Sequence, residues 1–338
     1  MSTTTTTSHD ISQNQSPRSA TQPTNNPTTQ TNPNAANRLR TTMAAVKLAF
    51  TWLGVRKTLA PEQRTTAARA FHADRELLTA SKLILDTKNP AYRAVAAVRS
   101  EASTHWRTVT LPFPEAGIRL LPQSSLSTFA KTMQTYRERL QDAARELAAH
   151  YDTIRSEAQR RLGTLYNASD YPSTLDGLFD LEVSYPTIEP PNYLMALHPD
   201  VYQAEQTRVR ERFENAVELA EQAFATELQR LTAHLAERLT GLHDGQPKVF
   251  RDSAVENLRE FFERFRRLNI RSSPELDALV EQAQQTIAGV EPQTLRDSNR
   301  LRQMVARDFE QIQASVGELL IDRPRRNILR RAGAGGAA

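Results

Sequence analysis

Between His198 and Leu242 the large apolar residues recur at Phe213, Val217, Ala220, Phe224, Leu228, Leu231, Leu235, Leu239 and Leu242, in steps of three and four. That spacing holds them on one stripe of an α-helix. Pro199 suits a first helical turn, where its missing N–H has no partner to lose, and Gly241 and Gly245 lie where such a helix would stop. The implied helix has about 43 residues and a length of roughly 65 Å. A stripe that long needs a long partner to cover it. Phe213, Phe224 and Leu235 are eleven apart, as are Val217, Leu228 and Leu239. An eleven-residue repeat makes the pair nearly straight or slightly right-handed.

A second long stripe supplies the natural partner. Leu126, Phe129, Met133, Tyr136, Leu140, Ala143, Leu147, Tyr151, Ile154, Ala158, Leu162 and Leu165 predict a helix from about 125 to 167, with Ser124 or Ser125 as its N-cap. The two lengths agree within a turn. The expected fold is therefore all-α: an elongated antiparallel coiled-coil hairpin over residues 125–242, with shorter helices packed at its base.

The remaining segments divide around that hairpin. Residues 1–40 are Thr, Ser, Asn, Gln and Pro with little apolar bulk, a composition that predicts a disordered tail. Met43 to Lys57 reads as a short helix with Val46, Phe50, Trp52 and Leu53 on its face. Another helix starts at Pro61 and turns Phe71, Leu77, Leu78 and Ile84 inward; Asn89-Pro90 ends it and opens one to about Ser103. Residues 104–122 have extended character around Pro112-Phe113-Pro114, and a small β-hairpin is expected there. Downstream, Val255, Leu258, Phe261, Phe262, Phe265 and Leu268 mark one helix. Ser273-Pro274-Glu275 and Glu291-Pro292 open two more. The organisation is a tail at 1–40, one helical body at 41–321 and a tail at 322–338.

The 30 or so residues between the long helices, Ala168 to Leu197, hold four prolines together with Tyr171, Phe179, Tyr185 and Tyr193. A connection of that length and apolarity is rarely slack. It serves either as a cap folded on the hairpin end or as a docking surface for a protein partner, and those four aromatic residues are the candidate contacts.

Charge narrows the functional classes. Of the net +4, residues 1–40 carry +2 and residues 322–338 carry +4, which leaves the body at −2. A nucleic-acid-binding domain concentrates Lys and Arg on its folded face, and this body does not. Only the Arg323, Arg325, Arg326, Arg330 and Arg331 cluster offers weak, salt-sensitive nucleic-acid contact, so nucleic-acid association through that tail is the alternative function. With no cysteine, disulfides, thiolate catalysis and Cys-ligated metals are out. The polar start has no secretory apolar core, and Met43 to Val55, interrupted by Lys47, is too short to span a bilayer. A cytoplasmic location is expected.

Catalytic patterns do not emerge. The 11 glycines form no phosphate loop before Lys-Ser or Lys-Thr, the seven histidines lack zinc spacing, and no Gly-x-Ser-x-Gly elbow occurs. No cofactor is expected, and a non-enzymatic structural or adaptor protein is the leading reading. His105-Trp106 through Leu120-Leu121-Pro122, Pro186 through Tyr193, Phe250-Arg251-Asp252-Ser253-Ala254-Val255-Glu256-Asn257-Leu258, and Phe265 to Asn269 together resemble an uncharacterised bacterial and phage family. Its members tend to be encoded near MoxR-type AAA ATPases and von Willebrand A-type proteins. The resemblance spans roughly residues 50–290 and brings no catalytic motif. It implies a bacterial, phage or mobile-element protein that works with an ATPase complex. The helical scaffold itself, presenting the 168–198 region or its stripes, offers another copy of the chain as a second kind of partner.

Overall fold

Proline sets where several helices begin. In the computed structural model, which describes residues 33–240, 242–243, 246–247 and 252–321, helices open on Pro33, Pro61, Pro90, Pro199, Pro274 and Pro292. Each sits where a backbone N–H would have had no intrahelical acceptor. In chain order the elements are α1 (Pro33–Thr42), β1 (Met43–Trp52), β2 (Arg56–Thr58), α2 (Pro61–Ala70), β3 (Ser81–Leu83), α3 (Pro90–Val109), β4 (Leu111–Pro112) and β5 (Ile118–Pro122). Then follow α4 (Leu126–Ala149), α5 (Tyr151–Leu162), β6 (Phe179–Ser184), α6 (Tyr193–Leu197), α7 (Pro199–Thr240), β7 (Leu242–His243) and β8 (Gln246–Pro247). The last are α8 (Ser253–Leu268), α9 (Pro274–Ile287), α10 (Pro292–Asp297) and α11 (Asn299–Ile321). The protein is thus mostly helical but not all-α, since a four-stranded antiparallel sheet ordered β4-β5-β1-β6 runs through it.

The sheet explains why β1 is not the helix expected at Met43–Lys57. Val46, Leu48, Phe50 and Trp52 alternate along it and turn to one side, while Lys47, Ala49 and Thr51 are exposed. Val46 and Phe50 satisfy a helical spacing and a strand spacing equally, so that pair could not decide. The intervening Leu48 and Trp52 follow a period of two. The first half of β1 pairs with β5, from Met43↔Pro122 to Lys47↔Ile118. The second half pairs with β6, from Lys47↔Ser184 to Trp52↔Phe179. The expected hairpin at 104–122 is present in shorter form: Leu111 pairs with Leu120 and Pro112 with Arg119, whereas residues 104–109 complete α3.

This sheet separates two apolar cores. Ala45, Leu111, Ile118 and Leu120 join a core built on α1, α7, α8, α9 and α11. Val46, Leu121, Phe179 and Leu181 join a second core with α3, α4 and α5. Successive strand residues therefore feed opposite cores, as the pleat requires.

The two long helices fall on different sides of that division, which corrects the expected coiled-coil hairpin. α7 packs chiefly against α11, and α4 against α3 and β6. Arg302 approaches the carbonyl of Leu239 while Gly317 lies beside Gln229, so α11 runs antiparallel to α7. The predicted stripe of α7 is buried from Phe213 to Leu239, but Ala216, Ala225, Thr232 and Ala236 are buried with it. About three buried residues per heptad is the width of a helix packed by several neighbours rather than a two-helix seam. The partner at 125–167 is itself interrupted at His150, where α4 ends and α5 begins. Tyr151 is buried beyond the break and its hydroxyl donates to the carbonyl of Pro172 at 3.0 Å.

Smaller corrections follow from burial. Residues 33–40, placed in the tail by composition, lie in α1, whose Ala35, Ala36 and Leu39 enter the first core. Phe71 and Leu77, expected inward, are 76% and 87% exposed, while Ile84 is buried as expected. Ser125 makes no side-chain cap bond, but the cap at Ser273 forms, its Oγ accepting from the Leu276 N–H at 3.2 Å. Asn89 caps α3 by accepting from Ala91 and Tyr92. The stripe Val255 to Leu268 of α8 is buried along its whole length.

Candidate functional site

The four aromatic residues singled out between the long helices separate into two pairs. Phe179 opens β6 and is buried edge-on against Trp52, with ring centroids 5.0 Å apart. Tyr171 is buried and stacks on Tyr166 at 5.2 Å; burial, and then Tyr166, push its phenol up to about 12. These two are parts of the second core and are withdrawn as docking residues. Tyr185 and Tyr193 remain exposed, at 48% and 62%. Met195, Leu197 and Val201 are exposed beside them in sequence, along α6 and the first turn of α7. Clustered large apolar residues left to solvent mark an interaction surface far better than single ones. The five-residue α6 is too short to hold itself as a helix and rests on α7. The Arg323, Arg325, Arg326, Arg330 and Arg331 cluster lies outside the described residues.

A second feature is joined by no spacing rule in the linear sequence. Where the end of α3, the β4–β5 hairpin, α7 and α8 meet, they enclose a cleft of about 310 Å³. Helical spacing builds its walls: Thr104, Arg107 and Thr108 from α3; Ala220, Ala223, Phe224 and Glu227 from α7; Arg264 and Leu268 from α8. β5 contributes Arg119, which pairs with Val46 and so shares the sheet face of Val46 and Leu121. A charge on that face is out of keeping with its apolar neighbours, and it is held by defined partners. Its Nε donates to Thr110 Oγ1 at 2.7 Å and its Nη2 to the Thr110 carbonyl at 2.9 Å. Thr110 Oγ1 in turn donates to the Trp106 carbonyl at 2.6 Å. The guanidinium lies 5.8 Å from the Trp106 ring centroid.

The electrostatics are one-sided. Arg264 is ion-paired with Glu227 and lies over Phe224 and Phe261. Arg107 and Arg119 have no carboxylate partner among the described residues. Burial, and then the Arg107 and Arg264 charges, pull Arg119 down to about 10. Three guanidiniums against one carboxylate leave the cleft with an excess of two positive charges. His105, one residue before Trp106, stacks on Phe129 at 6.4 Å and lies near Tyr136 at 6.0 Å, a packing role. Among the described residues, no group of three His, Asp or Glu side chains converges to hold a metal ion, and no helix is long and apolar enough to cross a membrane.

No family model matches the chain, and neither a curated protein nor a solved structure does.

Proposed function

We propose that this protein is a non-enzymatic helical adaptor of the cytoplasm, binding a protein partner through the apolar surface of Tyr185, Tyr193, Met195, Leu197 and Val201. The observation that carries the reading is the exposure of these five side chains between residues 185 and 201, three of them on α6, which packs on the longest helix of the fold. Binding there removes apolar area from water at about 25 cal/mol per Å² and offsets the cost of leaving it exposed. The resemblance of residues 50–290 to a family associated with AAA ATPases supports an ATPase subunit as that partner.

The test pairs capture with surface variants. The full chain and a Tyr193→Ser, Leu197→Ser double variant are used as baits against a purified MoxR-type ATPase. Both residues are exposed, so the variant keeps its fold and its helical circular dichroism. Retention by the parent chain and loss by the variant is the expected result. Retention by neither sinks the ATPase reading, equal retention by both removes this surface as the contact, and a concentration-dependent mass in light scattering that the variant abolishes would replace the ATPase with self-assembly.

A further inference from the structure

The arginine cleft is independent of that docking surface, lying between α3, the β4–β5 hairpin, α7 and α8. We propose that it binds a small phosphate monoester, with the phosphate on Arg107 and Arg119 and the body of the ligand on Leu111, Phe224 and Leu268. The charges select the ligand class first. Glu227 is already engaged by Arg264, so the cleft's remaining two positive charges match one doubly charged group. Guanidinium forks bind phosphate oxygens through paired charge-assisted hydrogen bonds, which a single carboxylate cannot satisfy with both charges.

Preorganisation comes next. Arg119 reaches the cleft already fixed by its two bonds to Thr110, so little side-chain freedom is lost on binding. Arg107 is exposed at the mouth and closes on the ligand from α3. Thr104, one turn before it on the same helix, adds a hydroxyl donor, whereas Thr108 already donates its own to the Thr104 carbonyl at 2.9 Å. The wall opposite is apolar, from Phe224 and Leu268, so the site takes an ester rather than the bare ion. A volume of about 310 Å³ lies at the small end of ligand sites, which limits the body to roughly one nucleoside.

The experiment uses the full chain and adenosine monophosphate as the probe, with adenosine, inorganic phosphate and succinate as controls. Calorimetric titration at low salt and at physiological salt measures each affinity. The nucleotide is expected to bind, adenosine not to, and inorganic phosphate to bind more weakly. Arg107→Gln is expected to weaken the nucleotide about tenfold, the worth of a charge-assisted bond, while leaving the unliganded melting temperature unchanged. Arg119→Lys keeps the charge but not the fork and is expected to weaken binding further. Should that variant fail to fold, the exposed Arg107 still decides. Arg93→Gln, on α3 outside the cleft, is expected to bind as the parent does. Absence of nucleotide binding at ~1 mM, equal binding by the Arg107 variant, or succinate binding as tightly as the nucleotide would each overturn the proposal.

Discussion

Lys82 and Asp170 form an ion pair, Nζ to Oδ2 at 2.7 Å, that joins β3 to the loop after α5. The lysine side chain is 5% exposed, and its Nζ also donates to the Leu165 carbonyl at 2.5 Å. Two segments more than eighty residues apart in the chain are thereby tied at a point almost closed to water.

Removing one partner leaves the other charge stranded. Lys82→Met is expected to cost about 3 kcal/mol, and Asp170→Asn somewhat less because Asp170 retains some solvent contact. The double variant Lys82→Met, Asp170→Asn is expected to recover much of the loss, since no uncompensated charge remains. Urea unfolding of the four proteins measures this; additive losses would show that the pair is not coupled.

Two glycines are expected to respond with opposite sign. Gly317 lies within α11, and a Cβ there would meet only the Gln229 side chain at 3.5 Å, an ordinary contact. Gly317→Ala is expected to stabilise by about 0.5–1 kcal/mol through a less flexible unfolded chain. Gly289 has open space around it but a φ of +71°. Gly289→Ala is expected to destabilise by about 1 kcal/mol through left-handed strain alone. Thermal unfolding of the two variants side by side checks both signs.

His105 gives stability a dependence near neutral pH. Burial, and secondarily the Arg267 charge, hold its imidazolium below the usual range. The unfolded chain therefore takes up a proton that the folded one resists. Stability is full above the unfolded value of about 6.5 and falls as pH drops from there toward the lower folded value. His105→Phe, which keeps an aromatic ring against Phe129 and Tyr136, is expected to flatten that part of the profile. An identical slope in parent and variant between these limits would show that another group titrates.

The Arg137–Asp180 pair acts in a lower range. Two hydrogen bonds of 2.8 Å from Arg137, with the Leu181 backbone adding to them, hold the Asp180 carboxyl below its usual range. Its contribution is present above the unfolded value of about 3.9 and is lost as pH falls through the folded one. The pair is partly exposed, so the loss is expected to stay under about 1 kcal/mol. Asp180→Asn should remove it from an acid unfolding curve without changing stability at neutral pH by more than that amount.

How far the sequence could be read depended on whether the interaction was local. α8 was legible because Val255 to Leu268 form one stripe whose neighbours are a turn away, and α7 was legible for the same reason. Which helix covers α7 was not, since the match in length between two stripes carries no information about a sheet lying between them. β1 was misread because Val46 and Phe50 fit both periods. The exposed half of the candidate docking surface, Tyr185 and Tyr193, came from composition, but burial of Tyr171 and Phe179 depends on contacts with Tyr166 and Trp52. The arginine cleft draws Arg107, Arg119 and Arg264 from three separate elements, and no spacing rule connects them. The one local hint was Arg119 itself, a charge set between Ile118 and Leu120 in a short apolar strand.

The position of β1 also sets a timetable for biosynthesis. It leaves the ribosome before its partners: β6 starts at Phe179 and the helix that α1 rests on starts only at Pro199. At roughly 5–20 residues per second, about 150 residues separate α1 from α7 and so about 8–30 s pass before that contact can form. Until β6 follows, Leu48, Phe50 and Trp52 have no strand to join, and the nascent chain presents the unpaired second half of β1 to the cell. Slower translation before Phe179 should therefore lengthen exposure to chaperones and lower the yield of folded protein, while leaving the finished molecule unchanged.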